Sequence, residues 1–221
     1  MKVCTDACIF GGFIAQYLGK KKEPLLNILD IGAGTGLLSL MVAQKVSGYI
    51  EAIEIEENAY NQATQNIAQS IWRSRIKIIN EDALNFVSQK KHDCIISNPP
   101  FFEGDLQSVN ASKNAAKHDT TLTLENLLIT IKKNIADNGC FAILLPYHRV
   151  AYFIQIAQLN NYYLDEELLI RHTQEHPIFR GILIFSNCAS IIKSNELVIK
   201  NASGNYTEAF INLLQDYYLH L

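Results

Sequence analysis

Hydrophobic and polar residues follow one another along the first two thirds of the chain in a repeated order that predicts a strand and then a helix. Residues 25–44 have an apolar strand pattern, a glycine-rich turn and apolar positions at helical spacing. Residues 49–70 repeat this order, with a strand that ends near Glu54. Two further strands with polar tips are predicted within 75–86 and 92–101. Strands that alternate with helices indicate a mostly parallel, doubly wound sheet that binds ligands outside the carboxyl ends of its strands.

The last third of the chain predicts a different arrangement. Residues 122–135 have a helical pattern, and a strand follows over 139–146, where Gly139 is expected to end the helix. Two strand-like runs, 162–172 and 179–187, are joined by a short polar stretch without a helix. These two runs are therefore expected to pair antiparallel at the edge of the sheet.

Length and composition are typical of one globular domain. The 221 residues are 48% hydrophobic and 19% charged, so we expect a single domain over 1–221. The net charge of -3 excludes nucleic-acid binding by uniform basicity, which leaves only local basic patches. Three candidate patches are Lys20, Lys21 and Lys22; Arg73, Arg75 and Lys77; and Lys90 with Lys91.

The cysteines and the absence of long apolar runs indicate the cellular compartment of the protein. Five cysteines without a C-x-x-C pair suit reduced thiols, which are typical of the cytosol. No apolar run approaches the length that spans a membrane, and no signal-peptide pattern opens the chain. We therefore expect a cytoplasmic protein with no metal and no membrane partner. The oligomeric state stays open, with a monomer favoured.

The glycine-rich turn LDIGAGTG at 29–36 predicts a ligand site. Gly32, Gly34 and Gly36 allow the backbone to approach a ligand closely at a helix N-terminus. The third glycine of the dinucleotide fingerprint lies one residue further on, and that turn holds a pyrophosphate. Asp30, directly before this turn, would repel a pyrophosphate but suits a ligand that carries an ammonium and a sulfonium. We therefore predict a site for S-adenosylmethionine (AdoMet).

Two further acids stand at the ends of the next two strands. Glu54 lies about twenty residues beyond the turn, where an acid accepts hydrogen bonds from both ribose hydroxyls. Asp82, followed by Ala83, is placed to meet the adenine amino group. Each acid taken singly also fits a turn or a helix N-cap. Together with Asp30, however, they stand at three consecutive strand ends and line one cleft.

The tetrapeptide NPPF, at 98–101, follows a buried strand and predicts a site for a flat amino group. Proline restricts the residue before it to an extended backbone and has no N–H to donate. The stiff tip therefore offers only acceptors, the side-chain oxygen of Asn98 and the carbonyl of Pro99, with Pro100 adding rigidity. Two acceptors that grip both N–H bonds of an exocyclic amine free its lone pair for methylation. Phe101 is expected to stack on the target, a contact worth about 1–3 kcal/mol per base. The alternative is a cis-proline turn with a buried phenylalanine.

With DIGAGTG, the strand end at Glu54, NED and NPPF in this order, the chain resembles the class I AdoMet-dependent methyltransferases that modify exocyclic amines. Longer stretches are similar to the bacterial tRNA adenine-N6 methyltransferase family, which acts on adenine 37 of valine tRNA. These stretches are MKVCTDACIFGGF at the start, SIWRSRIKI, AAKHDTTLTLENLL, RHTQEHPIFRGILIFS and YTEAFINLLQDYYL.

The resemblance implies a Rossmann-like class I methyltransferase fold with a seven-stranded, mostly parallel sheet and an antiparallel edge hairpin. It also implies AdoMet as cofactor and the anticodon loop of a tRNA as partner. The residues predicted above keep their roles, and Thr5 and Asp6 match the opening motif, near the methionine end of the cofactor. Cys4 and Cys8 depart from the family, which has glycines there and a short hairpin-like segment before the motif.

Other acceptors fit the same tetrapeptide. Protein glutamine N5-methylation and ribosomal RNA guanine-N2 methylation use NPP(F/Y) in the same way, and a non-catalytic RNA-binding module or a nicotinamide dehydrogenase are further alternatives. The polar stretch 103–119 is expected to form a loop over the site. RNA is favoured by local basic groups before the third strand, in this loop and in the last third of the chain. They are Arg73, Arg75, Lys113, Lys117, His118, Arg171, His172, His176 and Arg180.

Overall fold

The computed structural model describes residues 4–21, 26–100 and 122–220 of the chain. The helices within these ranges are α1 (Thr5–Gly19), α2 (Leu37–Lys45), α3 (Glu57–Gln69), α4 (Leu124–Asn134), α5 (Tyr147–Leu159) and α6 (Glu208–Leu214). The strands are β1 (Leu26–Ile31), β2 (Gly48–Glu54), β3 (Ile76–Asn80), β4 (His92–Ser97), β5 (Ile135–Pro146), β6 (Tyr163–Arg171), β7 (Arg180–Ser186) and β8 (Lys193–Val198). Phe101 and the predicted loop at 103–119, with Lys113, Lys117 and His118, lie outside the described residues.

The strands form one mixed sheet in the order β3-β2-β1-β4-β5-β7-β6-β8. Strands β1 to β5 are parallel, as the alternating pattern predicts, and β7 runs antiparallel between β5 and β6. The α/β class, the doubly wound parallel part and the antiparallel pairing of β6 with β7 are therefore confirmed. All carboxyl ends of the parallel strands meet at one edge of the sheet, which is where the predicted site residues lie.

The predicted number of strands was wrong. An eighth strand, β8, pairs in parallel with β6 and forms the edge of the sheet, so the β6–β7 hairpin lies one strand further in. The sequence KSNELV carries no apolar run, and most of its residues are exposed. Leu197 is the one buried residue of this strand, so its conformation depends mainly on backbone hydrogen bonds to β6, which hydrophobic periodicity does not report.

Gly139 does not end a helix. Helix α4 ends at Asn134, β5 begins at Ile135, and Gly139 lies inside that strand. A Cβ atom at Gly139 would lie 2.7 Å from Ile135 Cγ1 and 3.0 Å from the carbonyl oxygen of His92. The pairing of β4 with β5 shifts register between His92 and Cys94, so the glycine permits a close backbone approach at this irregularity.

The helices cover both faces of the sheet and bury two apolar clusters. One cluster is built around α1, α2 and α6, with Phe10, Val42 and Phe210 at its centre. The other is formed by α4 and α5 and contains Phe141 and Phe153. Strand side chains alternate between the two clusters, as the pleat of a sheet covered on both faces requires. No helix in the described part of the chain is long and apolar enough to cross a membrane.

Candidate active site

The end of β1 places three predicted segments side by side. Ile31, the last residue of β1, pairs with Ile53 of β2 and with Ser97 of β4. The residues that follow each of these positions are therefore neighbours at the sheet edge: the glycine turn after β1, Glu54 at the end of β2 and Asn98 after β4. The strand ends predicted to line one cleft are therefore adjacent in the fold.

The glycine turn has a backbone that only glycine adopts readily. Gly32, Gly34 and Gly36 have φ angles of 73°, 58° and 81°, in the left-handed region. The N–H groups of Gly32 and Ala33 both donate to the carbonyl of Ile53 at 3.0 Å, and α2 begins directly after Gly36. A Cβ atom at Gly32 would meet no atom of the described residues within 4 Å, so these residues leave space in front of the turn for a ligand.

The carboxylate of Glu54 holds the glycine turn in place. Its Oε2 accepts a hydrogen bond of 2.7 Å from the N–H of Gly34, and its Oε1 accepts one of 2.9 Å from the N–H of Glu56. The residue is 8% exposed. Each carboxylate oxygen has a second lone pair, which leaves acceptor capacity for a ligand hydroxyl. Contact with a ribose stays a prediction, and a second role of Glu54 is to support the backbone of the turn.

Asp30 is a buried acid with one unpaired oxygen. Its Oδ2 accepts a hydrogen bond of 2.7 Å from the hydroxyl of Ser39, whereas its Oδ1 is buried and has no hydrogen-bond partner within the described ranges. Burial raises the pKa of Asp30 to about 7; the bond from Ser39 opposes this rise and the nearby charge of Glu54 adds to it. Ser39 was not predicted as a site residue, although a serine among the apolar positions of α2 indicates a polar partner nearby.

The tip of β4 carries a second buried acceptor without a partner. Oδ1 of Asn98 is buried and unpaired in the part of the chain that the structure describes, and Pro99 beside it is buried as well. The hydroxyl of Ser97 donates to the carbonyl of Ile31 at 2.9 Å, which fixes the tip of β4 against β1. Every peptide bond within the described ranges is trans, so the Asn98–Pro99–Pro100 segment has no cis-proline turn.

Asp82 and Ala83 lie beyond the end of β3, next to the end of β2. Oδ1 of Asp82 accepts a hydrogen bond of 2.9 Å from the N–H of Leu84, and its carbonyl accepts from Asn85 and Phe86. The acid therefore caps the turn that follows it. The side chain of Ala83 is partly buried against the apolar cluster of α4 and α5. Contact of Asp82 with adenine stays a prediction beside this structural role.

Thr5 and Asp6 open helix α1 and reach the same edge of the sheet. Asp6 accepts a hydrogen bond of 3.0 Å from the N–H of Ala7 through Oδ1 and one of 2.9 Å from Nε of Arg180 through Oδ2. Arg180 is the first residue of β7 and pairs with Pro146 at the end of β5. The ion pair thus ties the opening motif to the site edge, and Thr5 is exposed there.

The structure separates the predicted basic patches. Arg75 precedes β3, so it lies at the opposite edge of the sheet, where its guanidinium donates to the carbonyls of Ala43, Val46 and Gly48. It satisfies the carboxyl end of α2 and is not directed to the site. By contrast, β6 ends and β7 begins at the edge that carries the site. The basic residues at that end are Arg171, His172, His176 and Arg180.

Comparison with known proteins identifies the family. The methyltransferase small domain matches residues 13–122 of the chain. A tRNA1(Val) (adenine(37)-N6)-methyltransferase of Dyadobacter fermentans is 38% identical over 99% of this chain and 91% of its own length. The protein of the same name from Pseudoalteromonas translucida is 34% identical over 100% of this chain and 93% of its own length. The chain belongs to this family.

Membership of the tRNA1(Val) (adenine(37)-N6)-methyltransferase family makes the protein an AdoMet-dependent methyltransferase. Solved structures agree on the fold. A predicted O-methyltransferase from Agrobacterium tumefaciens is similar with a TM-score of 0.70 at 16% identity, over 96% of each chain. A ribosomal protein L11 methylase from Lactobacillus delbrueckii subsp. bulgaricus is similar with a TM-score of 0.57 at 17% identity, over 82% of this chain and 78% of that one.

The residues of the cleft fit the cofactor of this family. Unpaired acceptor atoms are rare inside proteins, because each costs about 1–3 kcal/mol. Here Oδ1 of Asp30 and Oδ1 of Asn98, at the ends of neighbouring strands, are both buried without a partner among the described residues. AdoMet carries an ammonium, a sulfonium, hydroxyls and an amino group but no phosphate, which suits acceptors and carboxylates. We infer from the chemistry of this set that Asp30, Glu54 and the glycine turn hold the cofactor.

Proposed function

We propose that the protein transfers the methyl group of AdoMet to the N6 atom of adenine 37 in tRNA1(Val), using Asn98 to orient the amino group. AdoMet, when bound, supplies a methyl group activated by a sulfonium. The observation that carries the proposal is the buried, unpaired Oδ1 of Asn98 at the end of β4, beside the glycine turn. An acceptor in this position gains a partner when an N–H enters the site.

The tip of β4 provides acceptors in a fixed geometry. Pro99 has no N–H, and the hydrogen bond from Ser97 to Ile31 prevents the strand end from moving away from β1. An adenine amino group is a poor nucleophile, because its lone pair is delocalised into the ring. Hydrogen bonds from both N–H atoms to Oδ1 of Asn98 and the carbonyl of Pro99 favour the pyramidal form and free this lone pair. Positioning of this kind contributes roughly 7–11 kcal/mol in favourable cases.

The proton that leaves N6 does not require a strong base. The amine becomes strongly acidic once it carries the methyl group, and Asn98 stays neutral throughout because an amide does not titrate. The carboxylate of Asp30 sits on the cofactor side of the site, where it favours a cation. Asp30, on β1, therefore acts through its charge, and Asn98, after β4, acts by positioning the amino group.

The experiment is a methylation assay with tritiated AdoMet and, in separate reactions, total bacterial RNA unmodified at the candidate targets and cell extract, followed by nucleoside analysis and mapping. We expect the label in N6-methyladenosine at position 37 of tRNA1(Val), and labelling about 100-fold slower or more with the Asn98→Ala variant. The label in N2-methylguanosine of ribosomal RNA would overturn the proposal. So would label in cell extract that survives ribonuclease but not protease, which would identify a protein glutamine as the acceptor.

A further inference from the structure

The turn between β6 and β7 displays a stacked pair of aromatic rings. The rings of His172 and Phe179 lie with centroids 4.1 Å apart and an interplanar angle of 7°. Phe179 is partly buried against the core cluster of α1 and α2, whereas His172 is exposed. One face of the histidine ring is therefore supported by protein, and the residue presents its ring at the surface.

This turn is held rigid by hydrogen bonds on both sides of the rings. The N–H of Phe179 donates to the carbonyl of Ile170 at 2.9 Å, and the N–H of Lys200 donates to the carbonyl of His172 at 2.8 Å. Within the turn, the Thr173 hydroxyl and Nδ1 of His176 are 2.7 Å apart. A ring on such a frame loses little conformational entropy when it binds a flat partner.

The stacked rings lie on the edge of the sheet that holds the site. The strands beyond β4 in the sheet are β5, β7 and β6, in this order. At this side of the sheet, Pro146 of β5 pairs with Arg180 of β7, and Arg180 pairs with Ile170 of β6. His172 follows β6 and therefore lies three strand spacings from the tip that carries Asn98. At about 4.8 Å for each spacing, the lateral separation is roughly 15 Å. Because Ser97 pairs with Ile143 and Ile170 is level with Pro146, His172 is also offset along the strands by about four residues, or about 13 Å. The two residues are therefore roughly 20 Å apart, a distance that about three nucleotides of an extended strand span.

The positive charge of this turn attracts a nucleic acid only weakly. Arg171 pairs with Glu196 at 2.8 Å and Arg180 pairs with Asp6 at 2.9 Å, so both guanidinium groups already have carboxylate partners. Glu175, in the same turn, is exposed and adds a negative charge. What the turn offers a nucleic acid is therefore a flat, supported ring rather than a strong positive potential. Unpaired bases of RNA are recognised in this way, by stacking on aromatic side chains.

We infer that the His172–Phe179 pair is a stacking platform for an unpaired base of the RNA substrate, about three nucleotides from the methylated adenine. The inference rests on the proposed function, since it gives that RNA a second point of contact. It assigns His172 to substrate binding and positioning. The chemical step, cofactor binding and the fold do not depend on its side chain.

The experiment compares His172→Ala, His172→Phe and His172→Lys in binding and methylation of an unmodified tRNA1(Val) anticodon stem-loop. Binding is measured by fluorescence anisotropy with S-adenosylhomocysteine present. We expect His172→Ala to raise Kd and KM for the RNA at least about fivefold, the lower end of the effect of losing one stacked base. The kcat and the affinity for AdoMet are expected to stay at wild-type values. His172→Phe is expected to restore binding and His172→Lys to fail to restore it, because stacking needs a ring and not a charge.

Tyr49→Ala is the matched control. Tyr49 is 57% exposed near the start of β2, at the opposite edge of the sheet, so its loss should not change RNA binding. An unchanged Kd for His172→Ala, or rescue by lysine but not by phenylalanine, would overturn the platform alone. A wild-type protein that neither binds nor methylates the stem-loop would instead overturn the proposed function and the platform with it.

Discussion

Glu54 and Gly34 are joined by a hydrogen bond of 2.7 Å from the backbone N–H of the glycine to Oε2 of the acid. The acid at the end of β2 thereby holds the turn that follows β1. Since Gly34 has a φ of 58°, the turn depends on this support as well as on its glycines. The same residue that is expected to meet the cofactor also shapes the backbone beneath it.

Replacement of Glu54 by glutamine should therefore weaken cofactor binding. The amide retains one acceptor oxygen, so one of the two N–H groups of Gly34 and Glu56 would face an NH2 group. We expect the Kd for AdoMet, measured by isothermal titration calorimetry, to rise by about tenfold or more, equivalent to about 1.4 kcal/mol or more. Glu57→Gln, an exposed change in the first turn of α3, is the control. Equal affinities of the wild type and both variants for AdoMet would show that Glu54 does not contribute to cofactor binding.

Asn98→Ala should separate turnover from cofactor binding. The variant loses the buried acceptor of the β4 tip but leaves Asp30 and the glycine turn unchanged. We expect kcat to fall by about 100-fold or more, as when a preorganised polar group is removed, with the Kd for AdoMet nearly unchanged. Asn195→Ala, on the exposed strand β8, is the control. A wild-type rate for Asn98→Ala would show that the amide does not act in the reaction.

The stability of the protein without cofactor should depend on pH through Asp30. Burial raises the pKa of this acid to about 7, above the value of about 3.9 for an exposed aspartate. The folded state therefore binds the proton more tightly than the unfolded state, so the protonated acid stabilises the fold and this contribution is lost as pH rises through 7. Between pH 5 and pH 8 the loss should be on the order of 2–3 kcal/mol.

Asp30→Asn provides the comparison for this effect, since asparagine does not titrate. The free energy of unfolding is measured for both proteins by urea titration at several pH values. As pH rises, the value for the wild type should fall relative to that for the variant. A difference that is constant from pH 5 to pH 8 would show that Asp30 has an ordinary pKa in the folded protein.

Cofactor affinity should change with pH in the opposite direction. A cation is attracted by the ionised carboxylate of Asp30 and not by the protonated one, and the pKa of about 7 puts the change within an accessible range. We expect AdoMet to bind up to about tenfold more tightly at pH 8 than at pH 6 in calorimetry. The dependence should be absent in Asp30→Asn. The same slope in both proteins would assign it to another group.

Arg75→Ala should reduce stability and leave RNA binding unchanged. Its guanidinium donates three hydrogen bonds to carbonyls near the end of α2, at 2.6, 2.9 and 3.2 Å. Their loss should cost about 2 kcal/mol in the free energy of unfolding. Arg73→Ala is the control: it is exposed, and we expect a change within about 0.5 kcal/mol. A weaker affinity for tRNA in the Arg75 variant, without a loss of stability, would contradict this assignment.

Most of the parallel half of the sheet and the location of its site could be predicted from the sequence. The apolar runs of β1 to β4 are short, bounded by polar tips and separated by helical patterns, so their period and length distinguish them from surface segments. The tight turn at Gly32, Gly34 and Gly36 could also be predicted, because a left-handed backbone favours glycine at each of these positions. In both cases the physical cause acts within a few residues of the chain.

The tertiary structure alone decided which partner each polar group has. Arg75 was grouped with Arg73 as a basic patch, but its position before β3 turns it to the carbonyls at the end of α2. Arg180 pairs with Asp6, which is 174 residues away along the chain. Asp30 with Ser39 and the stacked rings of His172 and Phe179 are decided in the same way. Each of these contacts depends on where two segments meet in space, and local periodicity carries no information about that.

Strand β8 could not be predicted from the sequence either. Its sequence is mostly polar and exposed, and it becomes a strand because its backbone pairs with the outer side of β6. The sequence by itself thus determined the elements whose side chains are buried, together with the acceptors at their ends, because burial and turn chemistry leave a local signal. The edge strand, the ion pairs and the platform beside the site were decided by the folded structure, because their energies arise between segments that are distant in the chain.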